Sequence, residues 1–179
     1  MKKILFVSPL LLLVSACTPN PMPSTYLVAD QKVYSQIESD FYLKNKIIVD
    51  NVTYQADNAR SAPLYANAAD ALALSLSQAN MLAPDEKSGA YRLSGVIKNV
   101  GWPSCMFGSC ETGSAISYTM TDIKTGKAVY DETLVVPYMS EYPFGGQPNF
   151  LATLGGAVGE NYAHLIHVLS MKKQKDFLK

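Results

Sequence analysis

The sequence predicts an α+β fold: an antiparallel sheet of about four strands covered by two helices, in the order β-α-β-β-β-α. Three observations point to it. Apolar and polar residues alternate over 91–100 and 114–123, the period of a half-buried strand. Two longer stretches, one after Pro63 and one after Asn149, repeat their apolar residues at helical spacing instead. Lys124-Thr125-Gly126 makes a tight turn between alternating runs, which places them side by side in an antiparallel meander. Such a sheet needs one face covered, and the two amphipathic helices are available to cover it.

The elements follow in chain order. Lys46 to Tyr54, KIIVDNVTY, is β-branched and apolar enough for a buried strand. The preceding stretch, Leu27 to Leu43, reads equally as a strand or a packed loop. Ser61-Ala62-Pro63 introduces a helix ending near Leu82, with Pro84 beyond it. Its buried stripe is Ala69, Leu72, Ala73, Leu76 and Ala79. In the next strand Tyr91, Leu93, Gly95 and Ile97 share one face. Ile116, Tyr118 and Met120 do the same over 114–123, and a third meander strand covers Lys127 to Tyr138. The final helix spans Asn149 to Lys172. Leu151, Leu154, Val158, Tyr162, Leu165, Ile166 and Leu169 fall within an arc about 120° wide, which is its core stripe. Gly155, Gly156 and Gly159 interrupt it with poor helix formers, a sign of close packing on the sheet or of a frayed first half.

The N-terminus carries a different signal. Residues 1–16, MKKILFVSPLLLLVSA, pair two lysines with an apolar run too short to span a bilayer permanently. The run closes on Val14-Ser15-Ala16-Cys17, which resembles the lipobox of bacterial lipoprotein precursors. That resemblance implies cleavage after residue 16 and a covalent lipid, a diacylglycerol thioether with further acyl chains such as palmitate, on Cys17. Thr18 stands where an Asp would mark inner-membrane retention, so the same resemblance implies an outer-membrane lipoprotein facing the periplasm. Residues 17–25, with three prolines, form a semi-rigid tether, and 26–179 form a single domain. Removing 16 of the 179 residues leaves 163, enough for one core but not comfortably two. The stretches DALALSLSQANMLAP, YRLSGVIKNV and YTMTDIKTGKAVYDETL resemble segments of a family of uncharacterised outer-membrane accessory lipoproteins. Some members carry a sugar-nucleotide acyltransferase label, but the hexapeptide β-helix repeats of such enzymes are missing here.

Composition excludes some partners. The mature chain has 13 basic side chains, since Lys2 and Lys3 leave with the signal, against 15 acidic ones. A nucleic-acid partner would call for a basic face, so none is expected. Glu160, His164 and His167 share one helix face, as a surface metal site needs. They lie opposite the core stripe, however, and no other His exists to add a ligand. No metal and no cofactor is therefore expected, the covalent lipid apart. No Ser occupies a G-x-S-x-G elbow, and Asp131-Glu132 on a strand point to opposite faces. No catalytic residues are assigned.

Cys105 and Cys110, in GWPSCMFGSCETG, could clip a metal, act as a redox pair or staple a loop. The oxidising compartment implied by the lipobox favours a disulfide, with Cys17 taken by lipid. A ring that small contributes about 2 kcal/mol in the loop-entropy model. Its main effect is local, fixing a hairpin tip that holds Trp102, Met106 and Phe107. These three are the candidate binding residues, either tucked onto the sheet or offered to a partner or membrane surface. Tyr142 to Pro148, turn-rich with two aromatics, is a weaker candidate loop.

The leading expectation is a non-enzymatic, lipid-anchored accessory or binding module of the cell envelope, with a membrane anchor and an envelope protein partner. An envelope hydrolase or acyltransferase with His164 or His167 as base is the second. The third is a structural homo-oligomer joined through the glycine-interrupted helix.

Overall fold

Alternating sequence becomes sheet where the pattern is clearest. The computed structural model describes residues 20–55, 59–142 and 149–177; the signal segment, Cys17 and 143–148 lie outside them. Among the described residues five strands form one sheet: β1 (Ile47–Tyr54), β2 (Tyr91–Val100), β3 (Ser104–Met106), β4 (Ser109–Asp122) and β5 (Ala128–Glu141). They run in the order β1-β2-β4-β5, and β3 continues the line of β2 along β4. Leu93, Ile97, Ile116, Tyr118 and Met120 are all fully buried on the inner face, as the alternation requires.

One pairing differs from the expected antiparallel sheet: β1 runs parallel to β2. A helix lies between them in the chain, and a helical crossover returns the chain in its original direction, whereas a tight turn reverses it. The β4–β5 hairpin is also longer than the meander reading, with fourteen residues in each strand.

The crossover helix α2 (Ala68–Gln78) is shorter than expected, because the stretch around Pro63 forms a 3-10 helix, Ala59–Tyr65. Its end is a left-handed cap. Asn80 has φ 54°, Asn80 N–H donates to the Ser77 carbonyl and Met81 N–H to that of Leu76, the paired bonds of a Schellman motif. The buried stripe is rotated slightly from the expected one. Ala68, Ala71, Leu72, Ser75, Leu76 and Ala79 are buried, while Ala69 and Ala73 are half-buried.

The last helix, α3 (Phe150–Met171), has Asn149 as its N-cap, the side chain accepting from Ala152 N–H at 3.1 Å. Leu154, Val158, Tyr162, Leu165, Ile166 and Leu169 are buried as the periodicity predicts. Leu151 is the exception at 46% exposed, since it lies in the first turn of the helix. No helix among the described residues is long and apolar enough to cross a membrane.

The ambiguous stretch before β1 is neither strand nor loose loop. A single helical turn, α1 (Ser24–Leu27), and a 3-10 helix, Gln31–Gln36, carry the chain between α2 and α3. On the α2 side, Asn67 Nδ2 donates to the Met22 carbonyl at 2.8 Å, and Ala29 N–H donates to Ser75 Oγ at 3.1 Å. On the α3 side, Gly155 and Gly159 let the backbone of Tyr26 and Val28 approach. A Cβ at Gly159 would sit 2.5 Å from the Val28 carbonyl oxygen, and one at Gly155 would sit 2.7 Å from that of Tyr26. The glycines thus serve close packing, chiefly against the chain's own N-terminal segment. Only Gly156 faces the sheet, where Tyr138 fills the space a side chain would take. Packing begins within the stretch read as a tether, because Met22 is buried.

Candidate functional site

The hairpin tip is built outward from the end of β2. Gly101 N–H donates to the Gly113 carbonyl at 2.9 Å and Thr112 Oγ1 donates back to the Gly101 carbonyl, so the chain stays beside β4 through the irregular Trp102-Pro103. β3 then pairs Cys105 with Cys110 and Met106 with Ser109, leaving two residues to turn the corner. Phe107 has φ 50° and Gly108 has φ 87°. Two successive positive φ values match the right-handed twist of a two-residue hairpin, which ordinarily carries Asn-Gly or Gly-Gly. A phenylalanine in the first of those positions pays a steric cost that glycine or asparagine would not.

Cys105 and Cys110 are joined in a disulfide, with Cys110 fully buried on the inner side of the sheet. Tyr142 N–H donates to the Gly108 carbonyl at 2.7 Å, fastening the end of β5 to the turn. The tip is therefore held by a covalent bridge and by backbone bonds on both flanks. Its apolar side chains are nevertheless open. Trp102 is 77%, Met106 64% and Phe107 84% exposed. Trp102 stacks on Phe150, the first residue of α3, with ring centroids 5.8 Å apart, and Phe150 is itself exposed. Between tucked and presented, the three tip residues are presented.

The tip carries little charge. Residues 101–113 contain no Lys or Arg and a single acidic side chain, Glu111, while Glu141 lies opposite Ser109. A surface that is apolar, rigid and nearly uncharged suits contact with another apolar surface.

The helix face carrying Glu160, His164 and His167 is less open than its position opposite the core stripe implies. The N-terminal segment lies along α3 and makes a shallow cleft of about 390 Å³ lined by Asp30, Lys32, Val33, Glu160, His164 and His167. Glu160 and His167 are half-buried and His164 is exposed. No group of three His, Cys, Asp or Glu side chains is placed to hold a metal ion among the described residues. His167 Nδ1 is buried without a hydrogen-bond partner, and the His167 backbone carbonyl, not its ring, accepts from Ser170 Oγ at 2.7 Å. A nucleophile-base pair requires a hydroxyl or thiol bonded to the imidazole, and neither ring is so bonded among the described residues. The surface expected to join copies of the chain is also occupied, since Gly155 and Gly159 are covered by Tyr26 and Val28 of the same chain.

The sequence reading overlooked a buried polar cluster. Asn161 is fully buried. Its Nδ2 donates to Ser114 Oγ at 3.1 Å and to the Leu134 carbonyl at 3.0 Å, its Oδ1 accepts from Tyr118 OH at 2.9 Å, and Ser114 Oγ donates to the Ala157 carbonyl at 2.8 Å. Burial pushes the Tyr118 phenol well above its ordinary pKa, which keeps it a donor. Every side-chain donor of the cluster is bonded within it or to the backbone, so it joins α3 to β4 and β5. Also overlooked was Phe150, whose ring flanks Trp102; the one available signal was its place as the first apolar residue after the Asn149 cap.

No protein-family model and no curated protein matches the chain. Among solved structures, it is similar to a minor lipoprotein from Acinetobacter baumannii at 10% identity, covering 71% of this chain and 91% of that one, with a TM-score of 0.43. It is similar to the PelC dodecamer from Paraburkholderia phytofirmans at 13% identity, 68% and 89% coverage and a TM-score of 0.41. A hypothetical protein from Chlamydia trachomatis gives 13% identity, 72% and 98% coverage and a TM-score of 0.47. Similarity of this degree does not place the chain in a family.

Proposed function

We propose that the protein is a non-enzymatic, lipid-anchored contact module of the bacterial cell envelope, held at the periplasmic side of the outer membrane through Cys17 and engaging another envelope component through the tip that carries Trp102, Met106 and Phe107. The observation that carries the contact role is Phe107. It is the apex of a stapled hairpin, it occupies a backbone conformation that disfavours it, and at 84% exposure it gains almost nothing from burial within its own chain. Residues held in sparsely populated backbone regions cluster where strain serves function. The anchor rests on the Val14-Ser15-Ala16-Cys17 pattern, with several acyl chains at about 0.8 kcal/mol per buried methylene giving essentially permanent attachment.

The test is a photo-reactive residue placed at position 107 in the otherwise native chain, activated in living cells. Cross-linking to a discrete envelope component, protein or lipid, is the expected result. An irradiated chain that yields only unmodified monomer would remove the contact role. Fractionation of Cys17→Ala checks the anchor separately, because an unchanged share in the membrane fraction would refute it.

A further inference from the structure

We infer that the tip is a second, non-covalent membrane anchor: Trp102, Met106 and Phe107, with Phe150 behind Trp102, insert into the interface of the bilayer that holds the Cys17 lipid. This inference rests on the lipid-anchor reading above and names the component that the tip engages. Three observations carry it.

The chain enters the domain at the pole from which the tip projects. Met22 N–H donates to the Leu64 carbonyl at 3.0 Å, and the neighbouring Tyr65 ring stacks on Tyr54, the last residue of β1. Tyr54 is in register with Ile97, three residues before β2 ends and the tip begins. On the opposite flank, Tyr26 lies against Gly155, in the helix whose first residue, Phe150, supports Trp102.

The lengths then constrain where the membrane can be. Cys17 precedes the buried Met22 by five residues, and five extended residues span at most about 18 Å. From Ile116, the partner of Ile97, to Ser109 at the turn, β4 runs seven residues, or about 24 Å at the rise of an antiparallel strand. A domain standing on this pole therefore reaches the bilayer with its tip before its tether is taut.

The chemistry of the tip fits an interfacial depth. A tryptophan, a methionine and a phenylalanine lead: the indole is a side-chain type enriched at headgroup level, the phenylalanine belongs to the apolar faces that bury at the headgroup–acyl boundary, and no lysine or arginine is present in 101–113. With Glu111 and Glu141 as the nearby charges, the attraction is apolar, so a zwitterionic surface is sufficient. Rigidity assists, because the disulfide and the Tyr142 to Gly108 bond fix the turn before docking and little ordering entropy remains to be lost.

Trp102 is the chain's single tryptophan and so reports on the tip directly. The full-length lipidated chain is reconstituted into vesicles of phosphatidylethanolamine and phosphatidylcholine, with and without brominated acyl chains, and compared with Phe107→Asn. Asn suits the left-handed position, so the variant keeps its fold. The expected result is strong quenching of Trp102 by brominated lipid in the native chain. In Phe107→Asn the docked-to-undocked ratio falls about tenfold or more, while both proteins float with the vesicles. Native protein that floats with Trp102 unquenched by bromine and open to aqueous iodide would overturn the second anchor and leave the first intact. A chain that does not float at all would overturn the lipid anchor and this proposal with it.

Discussion

The seam between α3 and the sheet and the tip beyond β2 follow opposite rules. In the seam, apolar side chains are buried, and the polar Asn161, Ser114 and Tyr118 are bonded to one another. At the tip, apolar rings face solvent and a bulky residue accepts a left-handed backbone. The seam is arranged for the stability of the free domain. The tip is arranged at that stability's expense, which is why we propose a contact outside the domain for it.

Substitutions can separate the two regions, and the largest effect belongs to the seam. Asn161→Leu would leave Tyr118 OH and the Leu134 carbonyl buried without this partner, at about 1–3 kcal/mol for each group left unsatisfied, and would strip Ser114 Oγ of one of its two bonds. We expect a loss of more than about 3 kcal/mol in urea unfolding; a loss below about 1 kcal/mol would show that water or repacking replaces the amide. Gly159→Ala comes next. The added methyl favours helix by about 1 kcal/mol but meets the Val28 carbonyl oxygen, so we expect a net loss of about 1–3 kcal/mol and a lowered Tm. An unchanged or raised Tm would mean that the N-terminal segment is not held against α3. Smallest and opposite in sign is Phe107→Asn, which relieves the left-handed strain and should stabilise the free, unanchored domain by up to about 1 kcal/mol. Destabilisation of that domain by Phe107→Asn would mean that the ring supports the fold, and the contrast between tip and seam would close.

Much of this was legible in the sequence because it depends on local period. The alternation over 91–97 and 116–120 and the helical arc from Leu154 to Leu169 each state their buried face directly. The hairpin staple was legible too, once the compartment was inferred. What escaped was non-local. The parallel direction of β1 leaves no mark within β1 itself, and Leu151 obeys the helical period yet lies in the exposed first turn of α3. The spacing of Gly155 and Gly159 announced a close approach without saying to what, since the approaching backbone of Tyr26 and Val28 lies some 130 residues earlier in the chain. Asn161 sits between Glu160 and Tyr162 with nothing in its neighbours to mark it as buried, because its partners come from two other strands.

That long-range closure bears on the order of events when the chain is made. Met22 to Ala29 packs against both α2 and α3, and α3 begins more than 120 residues after Ala29. A polypeptide emerging N-terminus first cannot complete this packing until α3 has appeared. Premature locking of the leading end is thereby avoided, because its seat is completed only by a helix so much later in the chain.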